Sequence, residues 1–154
     1  MLDDVGRALG NSGVAPRGRS FPNLRPETLE AELRLAENLG VKPMQVTDPG
    51  FAEVANAGSV KWAVLENGEL VVIPYSVEAS GATLQISHSV LSGGRPVLAA
   101  GEGSILVRPS NTTVRLLNRH TGHFETSAES LEIGVKAFES RGINVLRIDP
   151  TIPR

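Results

Sequence analysis

The side chains best suited to acid–base chemistry are concentrated in residues 84–124. This stretch contains all three histidines of the 154-residue chain, His88, His120 and His123. Histidine is the side chain whose ordinary pKa lies closest to neutral pH. From His88 to His123 the sequence has four arginines and a single acid, Glu102. The whole chain carries a net charge of −2, so this stretch is a local excess of positive charge on a mildly acidic protein. Such an excess favours an anionic ligand.

Two histidines and a nearby cation are the set that metal-independent RNA cleavage requires. One imidazole takes the proton of a ribose 2′-hydroxyl, a second protonates the leaving 5′-oxygen, and a cation stabilises the phosphorane. We interpret His88 as the general base and His123 as the general acid. The alternative for His88 is a core-facing histidine that is hydrogen-bonded to backbone. Lys61 is the candidate cation, because a lysine beside Trp62 in a strand is otherwise disfavoured. Glu102 either orients a histidine or pairs with a neighbouring arginine.

Three further residues are candidates for substrate binding. Arg95 or Arg119 would bind a phosphate group, and His120 lies three residues before His123. An H-x-x-H spacing in a loop can bind a metal, but the only other imidazole is His88 and few carboxylates are close in the sequence. The alternative to a metal site at His120 and His123 is a loop that side-chain hydrogen bonds stabilise ahead of a helix. We expect no metal and no cofactor.

Composition and motifs exclude several classes of function. The chain has no cysteine, which excludes thiolate zinc sites and the cysteine-ligated zinc of nucleobase deaminases. Residues 93–96, Gly-Gly-Arg-Pro, match no phosphate-binding loop, and Ser87 and Ser89 do not form a nucleophile elbow. No segment approaches the roughly 18 apolar residues of a membrane span. The net charge argues against stable DNA binding.

The elements that must position these residues follow an α+β pattern. Residues 26–39 are predicted to form an amphipathic helix, since Pro26 suits the first helical position and Gly40 suits a helix end. Two runs rich in branched residues, 60–65 and 69–75, flank Asn67-Gly68, which predicts a β-hairpin. Further strands are predicted at residues 83–90, 96–100, 104–107 and 114–117, and the first of them would contain His88.

The C-terminal part is predicted to contain a helix and a closing strand. Thr126 and Glu129 match a capping box, Gly142 matches a helix end, and residues 143–148 match a strand. The predicted fold class is therefore α+β, with an N-terminal helix, an antiparallel β-sheet of five or six strands, a C-terminal helix and a closing strand. Residues 1–24 are predicted to be an irregular leader or linker, residues 25–149 a single domain, and residues 150–154 a tail.

Three motifs resemble a known class of module. They are Val60-Lys-Trp-Ala-Val64 with Glu66-Asn-Gly-Glu-Leu70, Ile86-Ser-His-Ser-Val-Leu-Ser-Gly-Gly-Arg-Pro-Val-Leu-Ala-Ala-Gly-Glu102, and Thr121-Gly-His-Phe-Glu-Thr-Ser-Ala-Glu-Ser-Leu131. Together they are similar to a C-terminal module of bacterial polymorphic toxins, which ends large secreted proteins with Rhs repeats or filamentous haemagglutinin-like stalks. The resemblance covers residues 32–143. This chain has Arg119-His-Thr-Gly-His where a Ser-Gly-His version is expected, which marks His120 as an individual feature.

The resemblance implies a role in competition between bacteria. It implies secretion as the C-terminal part of a larger protein, action in the target-cell cytoplasm, and a cognate immunity protein as partner. It does not specify the reaction, because such tails include nucleases, deaminases, ADP-ribosyltransferases and peptidases. A helix followed by an antiparallel sheet with dispersed His and Lys is similar to the fold shared by barnase, EndoU and the colicin ribonucleases. The leading hypothesis is a metal-independent endoribonuclease with RNA as substrate.

Two other functions remain open. An NAD-using toxin, either an ADP-ribosyltransferase or an NAD glycohydrolase, would hold the nicotinamide ribose with His88. Glu102 would then stabilise or position the oxocarbenium centre. The other alternative is a non-catalytic module of a secreted bacterial protein, in which replacing His88 and His123 together would change no measurable phenotype.

Overall fold

The computed structural model describes residues 19–151, and within that range the chain forms four helices and eight strands. A 3₁₀ turn, Pro26–Thr28, leads into the first helix. The helices are α1 (Leu29–Asn38), α2 (Phe51–Ala57), α3 (Ser89–Ser92) and α4 (Ser130–Glu139). The strands are β1 (Val60–Leu65), β2 (Leu70–Pro74), β3 (Ser76–Ala79), β4 (Ala82–Gln85), β5 (Val97–Val107), β6 (Thr112–Asn118), β7 (Asn144–Val145) and β8 (Ile148–Asp149).

The main sheet has six strands in the order β2-β1-β5-β6-β7, and β8 also pairs with β6. The pairs among β2, β1, β5 and β6 are antiparallel, whereas β7 and β8 run parallel to β6. Strands β3 and β4 form a separate two-stranded sheet. The α+β prediction, with a helix before the sheet and a helix and strands after it, is confirmed. Within residues 19–151 no helix has the length and apolar character needed to cross a bilayer.

The β1–β2 hairpin forms where Asn67-Gly68 predicted it. The Leu65 N–H donates to the Glu69 carbonyl at 2.8 Å, and the Glu69 N–H donates to the Asn67 side chain at 3.0 Å. Gly68 has a φ of +91°, which an L-residue rarely adopts but glycine adopts without a Cβ clash. Local turn chemistry therefore sets the register in which β1 and β2 pair.

Helices cover both faces of the main sheet, because alternate residues of β1 point to opposite sides. Val60, Trp62 and Val64 pack on one face in a core that also includes residues of α2 and α4. Ala63 lies on the opposite face, in a core that includes residues of α1 and α3 and the side chain of Phe21. The alternation places Lys61 on the same face as Ala63, and this is the face that carries the site.

The predicted strand at residues 83–90 is wrong beyond Gln85. The Ile86 N–H donates to the Tyr75 carbonyl, and the chain then turns, because the Val90 N–H donates to the Ser87 carbonyl at 3.1 Å. His88 has helical dihedral angles, φ −57° and ψ −29°, and directly precedes α3. The end of β4 and the helical turn after it together produce an alternation of apolar and polar residues, which in the sequence is indistinguishable from one continuous strand.

The predicted capping box at Thr126 is also wrong, because α4 begins at Ser130. The Ser130 N–H donates to the hydroxyl of Ser127 at 3.1 Å, so the side chain that accepts a hydrogen bond from the first residue of α4 is Ser127 and not Thr126. The closing strand predicted at residues 143–148 is two short strands, β7 and β8, which pair with β6 one after the other.

The strands predicted at residues 96–100 and 104–107 are a single strand, β5. Gly101 and Gly103 lie within it rather than in a turn. A Cβ on Gly101 would overlap the backbone carbonyl of Asn118 in the neighbouring strand. Glycine is present here because two backbones approach closely, which a sequence pattern does not distinguish from a turn.

Gly134 of α4 packs directly against the fully buried Trp62. A Cβ at this position would overlap the indole ring, which also makes an edge-to-face contact with Phe138 at a centroid distance of 6.1 Å. Gly134→Ala should therefore destabilise the fold by about 1–3 kcal/mol, since an added methyl must displace the ring or the helix. Urea unfolding monitored by the fluorescence of this tryptophan measures the change.

Gly58→Ala is the matched control. Nothing lies within 4 Å of an added Cβ there, and its φ of 167° is extended backbone that any residue adopts. Its free energy of unfolding should change little. Equal stability of the two alanine variants would contradict the packing of α4 on Trp62.

Candidate functional site

A cleft of about 350 Å³ opens where β1, β5, the segment before α3 and the loop after β6 meet. Its lining includes five of the seven residues that the sequence singled out as catalytic or substrate-binding. These are Lys61, His88, Glu102, His120 and His123. The loop residues Thr121 and Gly122 complete one wall. Residues that are up to 62 positions apart in the chain, Lys61 and His123, therefore share one cavity.

The sheet fixes the positions of Lys61 and Glu102, which are direct cross-strand partners in β1 and β5. The Lys61 ammonium donates to the carbonyl of Ile86 at 2.5 Å and lies 4.8 Å from the ring centroid of Tyr75. Burial lowers the pKa of Lys61, while the carboxylates of Glu102 and Glu32 act in the opposite direction. A lysine only 5% exposed thus lies at the base of the cleft.

His88 is held by a single backbone contact and is almost fully buried. Its Nε2 lies 2.8 Å from the carbonyl of Gly101, and because a carbonyl only accepts, Nε2 must carry the hydrogen. This fixes the tautomer and leaves Nδ1 as the nitrogen available to accept a proton. Burial, followed by the nearby charges of Lys61 and His123, outweighs the Gly101 hydrogen bond and lowers the pKa of His88 to about 3. The ring is therefore neutral at physiological pH.

His123 is paired with a carboxylate from the opposite end of the chain. Its Nε2 lies 2.7 Å from Oε2 of Glu32 in α1. The same carboxylate accepts a hydrogen bond from the Ser89 hydroxyl at 2.6 Å and one from the Thr28 hydroxyl at 2.8 Å. Burial alone would raise the pKa of Glu32, but these three donors together lower it. The ionised carboxylate keeps a proton on Nε2 and leaves Nδ1 to exchange protons.

His120 lies at the rim of the cleft near Glu102. Its ring Nδ1 is 4.0 Å from Oε1 of Glu102, and its backbone N–H donates to the side chain of Asn118 at 3.0 Å. Asn118 also accepts from the N–H of Glu102 at 2.9 Å. One amide side chain therefore holds the backbone of both residues, which sets the distance between the imidazole and the carboxylate.

The structure does not bring the two candidate arginines into this cleft. Arg95 is exposed and lies just after α3, and it is not part of the cleft lining. Arg119 donates from Nε to the Pro150 carbonyl at 2.6 Å and from Nη1 to the Thr126 carbonyl at 2.7 Å. Its guanidinium is therefore fixed by backbone, in the wall of a neighbouring pocket.

Glu32 is the functional residue that the sequence reasoning missed. It is 91 positions from His123 and 57 from Ser89, so no local motif connects them. One signal was present: Glu32 is three residues after Leu29 and four before Ala36, which places a carboxylate on the apolar face of α1. A charge on a buried helix face indicates a partner across the core.

The cleft combines a neutral imidazole, an imidazole paired with a carboxylate, and a buried ammonium group. Such a set can accept a proton, donate a proton and stabilise an anionic transition state at one place. No protein-family model, curated protein or solved structure matches this chain. Between residues 19 and 151 no cluster of three or more His, Asp or Glu side chains is arranged to hold a metal ion.

His88→Gln should separate the titration of this residue from its hydrogen bond, because an amide can donate to Gly101 but does not titrate. In the unfolded chain histidine takes up a proton near pH 6.5, whereas in the folded protein His88 does so near pH 3. Between these values the unfolded state binds more protons, so stability is lost as the pH falls. The wild type should lose stability relative to the variant by up to about 1.4 kcal/mol per pH unit below about pH 6.5.

Urea unfolding of both proteins at a series of pH values tests this expectation. Glu32 also contributes stability that is lost on acidification, because its pKa is lowered, but that contribution is common to both proteins. The difference between the two unfolding free energies therefore reports on His88. A difference that stays constant between about pH 7 and about pH 4.5 would show that His88 is not held neutral by burial.

Proposed function

We propose that this chain is a metal-independent endoribonuclease. His88 is the general base, His123 is the general acid, and Lys61 is the cation that stabilises the phosphorane. The observation that carries the proposal is the meeting of these three side chains in one cleft. They come from three different segments, and each is fixed by a hydrogen bond to another part of the chain.

In the proposed reaction a ribose 2′-oxygen attacks the adjacent phosphorus atom. Its proton passes to Nδ1 of His88, the nitrogen that the Gly101 contact leaves free. The bond between phosphorus and the 5′-oxygen breaks, and that oxygen takes a proton from Nδ1 of His123. The products are a 2′,3′-cyclic phosphate and a free 5′-hydroxyl group. Proton exchange with water then removes the proton from His88 and restores the one that His123 gave up.

The surroundings of the two histidines support this division of roles. An imidazole whose pKa burial lowers to about 3 is neutral at neutral pH, which is the form that accepts a proton, and the same burial makes it a weaker base than a free histidine. His123 has the Glu32 carboxylate 2.7 Å from Nε2, an acceptor that keeps a hydrogen on that nitrogen and holds the ring in place. Glu102 counteracts the burial that lowers the pKa of Lys61, and so supports a charged ammonium at the cleft base.

We further propose that the chain is the C-terminal toxin part of a larger secreted bacterial protein. It would act in the cytoplasm of the target cell and be restrained by a cognate immunity protein. The support is the resemblance of residues 60–70, 86–102 and 121–131 to polymorphic toxin modules. Those three motifs supply Lys61, His88 with Glu102, and His123, which all line one cleft.

Purified protein incubated with total RNA in the presence of a chelator should cleave it and leave 2′,3′-cyclic phosphate ends. His123→Gln should slow cleavage by about 100-fold or more, because the general acid is removed while the amide can still contact Glu32. Arg34→Ala is the control, since Arg34 is exposed on α1 and its ion pair with Glu30 is also exposed. Denaturing electrophoresis and end-group analysis measure both rate and product.

Intact RNA after prolonged incubation with the wild type would overturn the proposal. Loss of NAD in the same preparation would then favour the NAD-using alternative. Equal RNA cleavage by the wild type and the His123→Gln variant would remove His123 from the mechanism.

Glu32→Gln should lower kcat by about tenfold or more with little change in KM. The amide can donate to His123 Nε2, which would shift the hydrogen of the neutral ring to Nδ1. An uncharged amide also no longer balances the charge that a protonated general acid carries. Glu30→Gln, an exposed position on the same helix, is the matched control. Steady-state cleavage of a short fluorogenic RNA measures both constants. A change confined to KM would mean that Glu32 contributes to binding rather than to the state of His123.

A further inference from the structure

A second pocket of about 400 Å³ lies beside the cleft. The two cavities share Thr121 and Gly122 in their linings, so they adjoin at this loop. We call it the base pocket, and its lining is Leu24, Arg119, Thr121, Gly122, Phe124, Glu125 and Thr126. The proposed reaction makes no use of this pocket.

The base pocket combines apolar surface with a small set of polar groups. Leu24 is 54% exposed, one of few large apolar side chains left open to solvent in residues 19–151, while Phe124 is buried. Arg119 can donate hydrogen bonds, Glu125 can accept them, and Thr126 can do both. An apolar surface with convergent donors and acceptors suits a flat, polar-edged ring.

Each of the two cavities has one unpaired polar side chain in its lining. Among the described residues, three buried side-chain atoms have no hydrogen-bond partner: Nδ2 of Asn23, Nε2 of His120 and Oγ1 of Thr126. His120 lines the cleft, Thr126 lines the base pocket, and Asn23 directly precedes Leu24. Buried polar groups in native proteins are nearly always paired, so the unpaired hydroxyl in the wall of the base pocket calls for a partner such as a ligand group or a water molecule.

We propose that the base pocket binds a guanine base of single-stranded RNA, an inference that rests on the ribonuclease activity proposed above. Guanine presents the acceptors O6 and N7, which match an arginine, and the paired donors N1–H and N2–H, which match a carboxylate. Adenine, cytosine and uracil lack that adjacent pair of donors. Arg119 and Glu125 supply the matching groups, and Leu24 supplies a surface for the ring to pack on.

Arg119 is held ready for this role before any ligand binds. Its Nε and Nη1 each donate to a carbonyl, of Pro150 and Thr126, which leaves the second N–H of Nη1 and both N–H groups of Nη2 for a ligand. A guanidinium that is already ordered loses little conformational entropy on binding. Arg119 therefore recognises the base in this proposal rather than the phosphate.

The shared loop also sets which base the pocket would receive. The scissile phosphate lies in the cleft with Lys61, His88 and His123, on one side of Thr121 and Gly122. Two bases flank that phosphate in the RNA, and we assign the pocket to the one joined to the attacking ribose. Guanine would therefore lie on the 5′ side of the cleaved bond, and cleavage would leave a guanosine cyclic phosphate end.

Binding of the four nucleoside 3′-monophosphates to the whole chain, followed by NMR of the backbone amides, tests the proposal. The 3′-GMP should shift amides of residues 119–126 and bind about tenfold or more tightly than the other three, since one bidentate base contact discriminates to about that extent. Glu125→Gln should remove this preference. Glu129→Gln, an exposed carboxylate four residues further on and outside the pocket lining, should keep it.

Thr126→Val supplies a second, independent measurement. Its hydroxyl is buried without a partner in the described part of the chain, so valine should leave the Tm unchanged or raise it. The affinity for 3′-GMP should nevertheless fall. Equal binding of all four nucleotides, or a Glu125→Gln variant with unchanged preference, would overturn the guanine assignment.

These outcomes are distinct from failure of the proposed function. Selective 3′-GMP binding at residues 119–126 by a protein that leaves RNA intact would reject the ribonuclease and retain the guanine site. Cleavage of RNA at all four bases, with no selectivity among the nucleotides, would retain the ribonuclease and reject the guanine site.

Discussion

The contact between Glu32 and His123 is the interaction on which the rest of the site depends. A carboxylate that is largely removed from water is costly unless donors surround it, and here an imidazole and two hydroxyls do so. The three donors come from the loop after β6, from α3 and from the turn before α1. Satisfying one charge therefore fixes three segments around it, and the packing of α1 on the sheet becomes part of the geometry of the cleft.

The three basic groups of the cleft lie in different electrostatic surroundings. Burial first, and then the proximity of Lys61 and His123, disfavours the charged form of His88. Glu32 lies next to His123 and Glu102 lies opposite Lys61, whereas His88 contacts only a backbone carbonyl. Lys61 and His123 therefore have carboxylate partners, whereas burial without such a partner keeps His88 neutral. This asymmetry is what acid–base chemistry by two histidines needs.

Much of the fold was predictable from sequence, because its elements have local causes. The β1–β2 hairpin follows from Asn67-Gly68, and α1 follows from its apolar period and from Gly40, whose φ is +72°. The site was predictable only in part. Histidines and a strand lysine can be recognised by type, but the Glu32 partnership joins residues 91 positions apart and has no local signature. His88 was placed in a strand for a related reason, since the contact with Gly101 that fixes it is not local in the sequence.

Gly101 illustrates why strand glycines were the hardest residues to interpret. In the sequence it suggested a break between two strands, yet β5 continues through it. A side chain there would overlap the Asn118 carbonyl, so glycine allows β6 to approach closely at this point. The carbonyl of Gly101 then sets the tautomer of His88, and the side chain of Asn118 accepts from the N–H groups of Glu102 and His120. One close backbone approach therefore positions both walls of the cleft, which is a sufficient physical reason for glycine in the middle of an 11-residue strand.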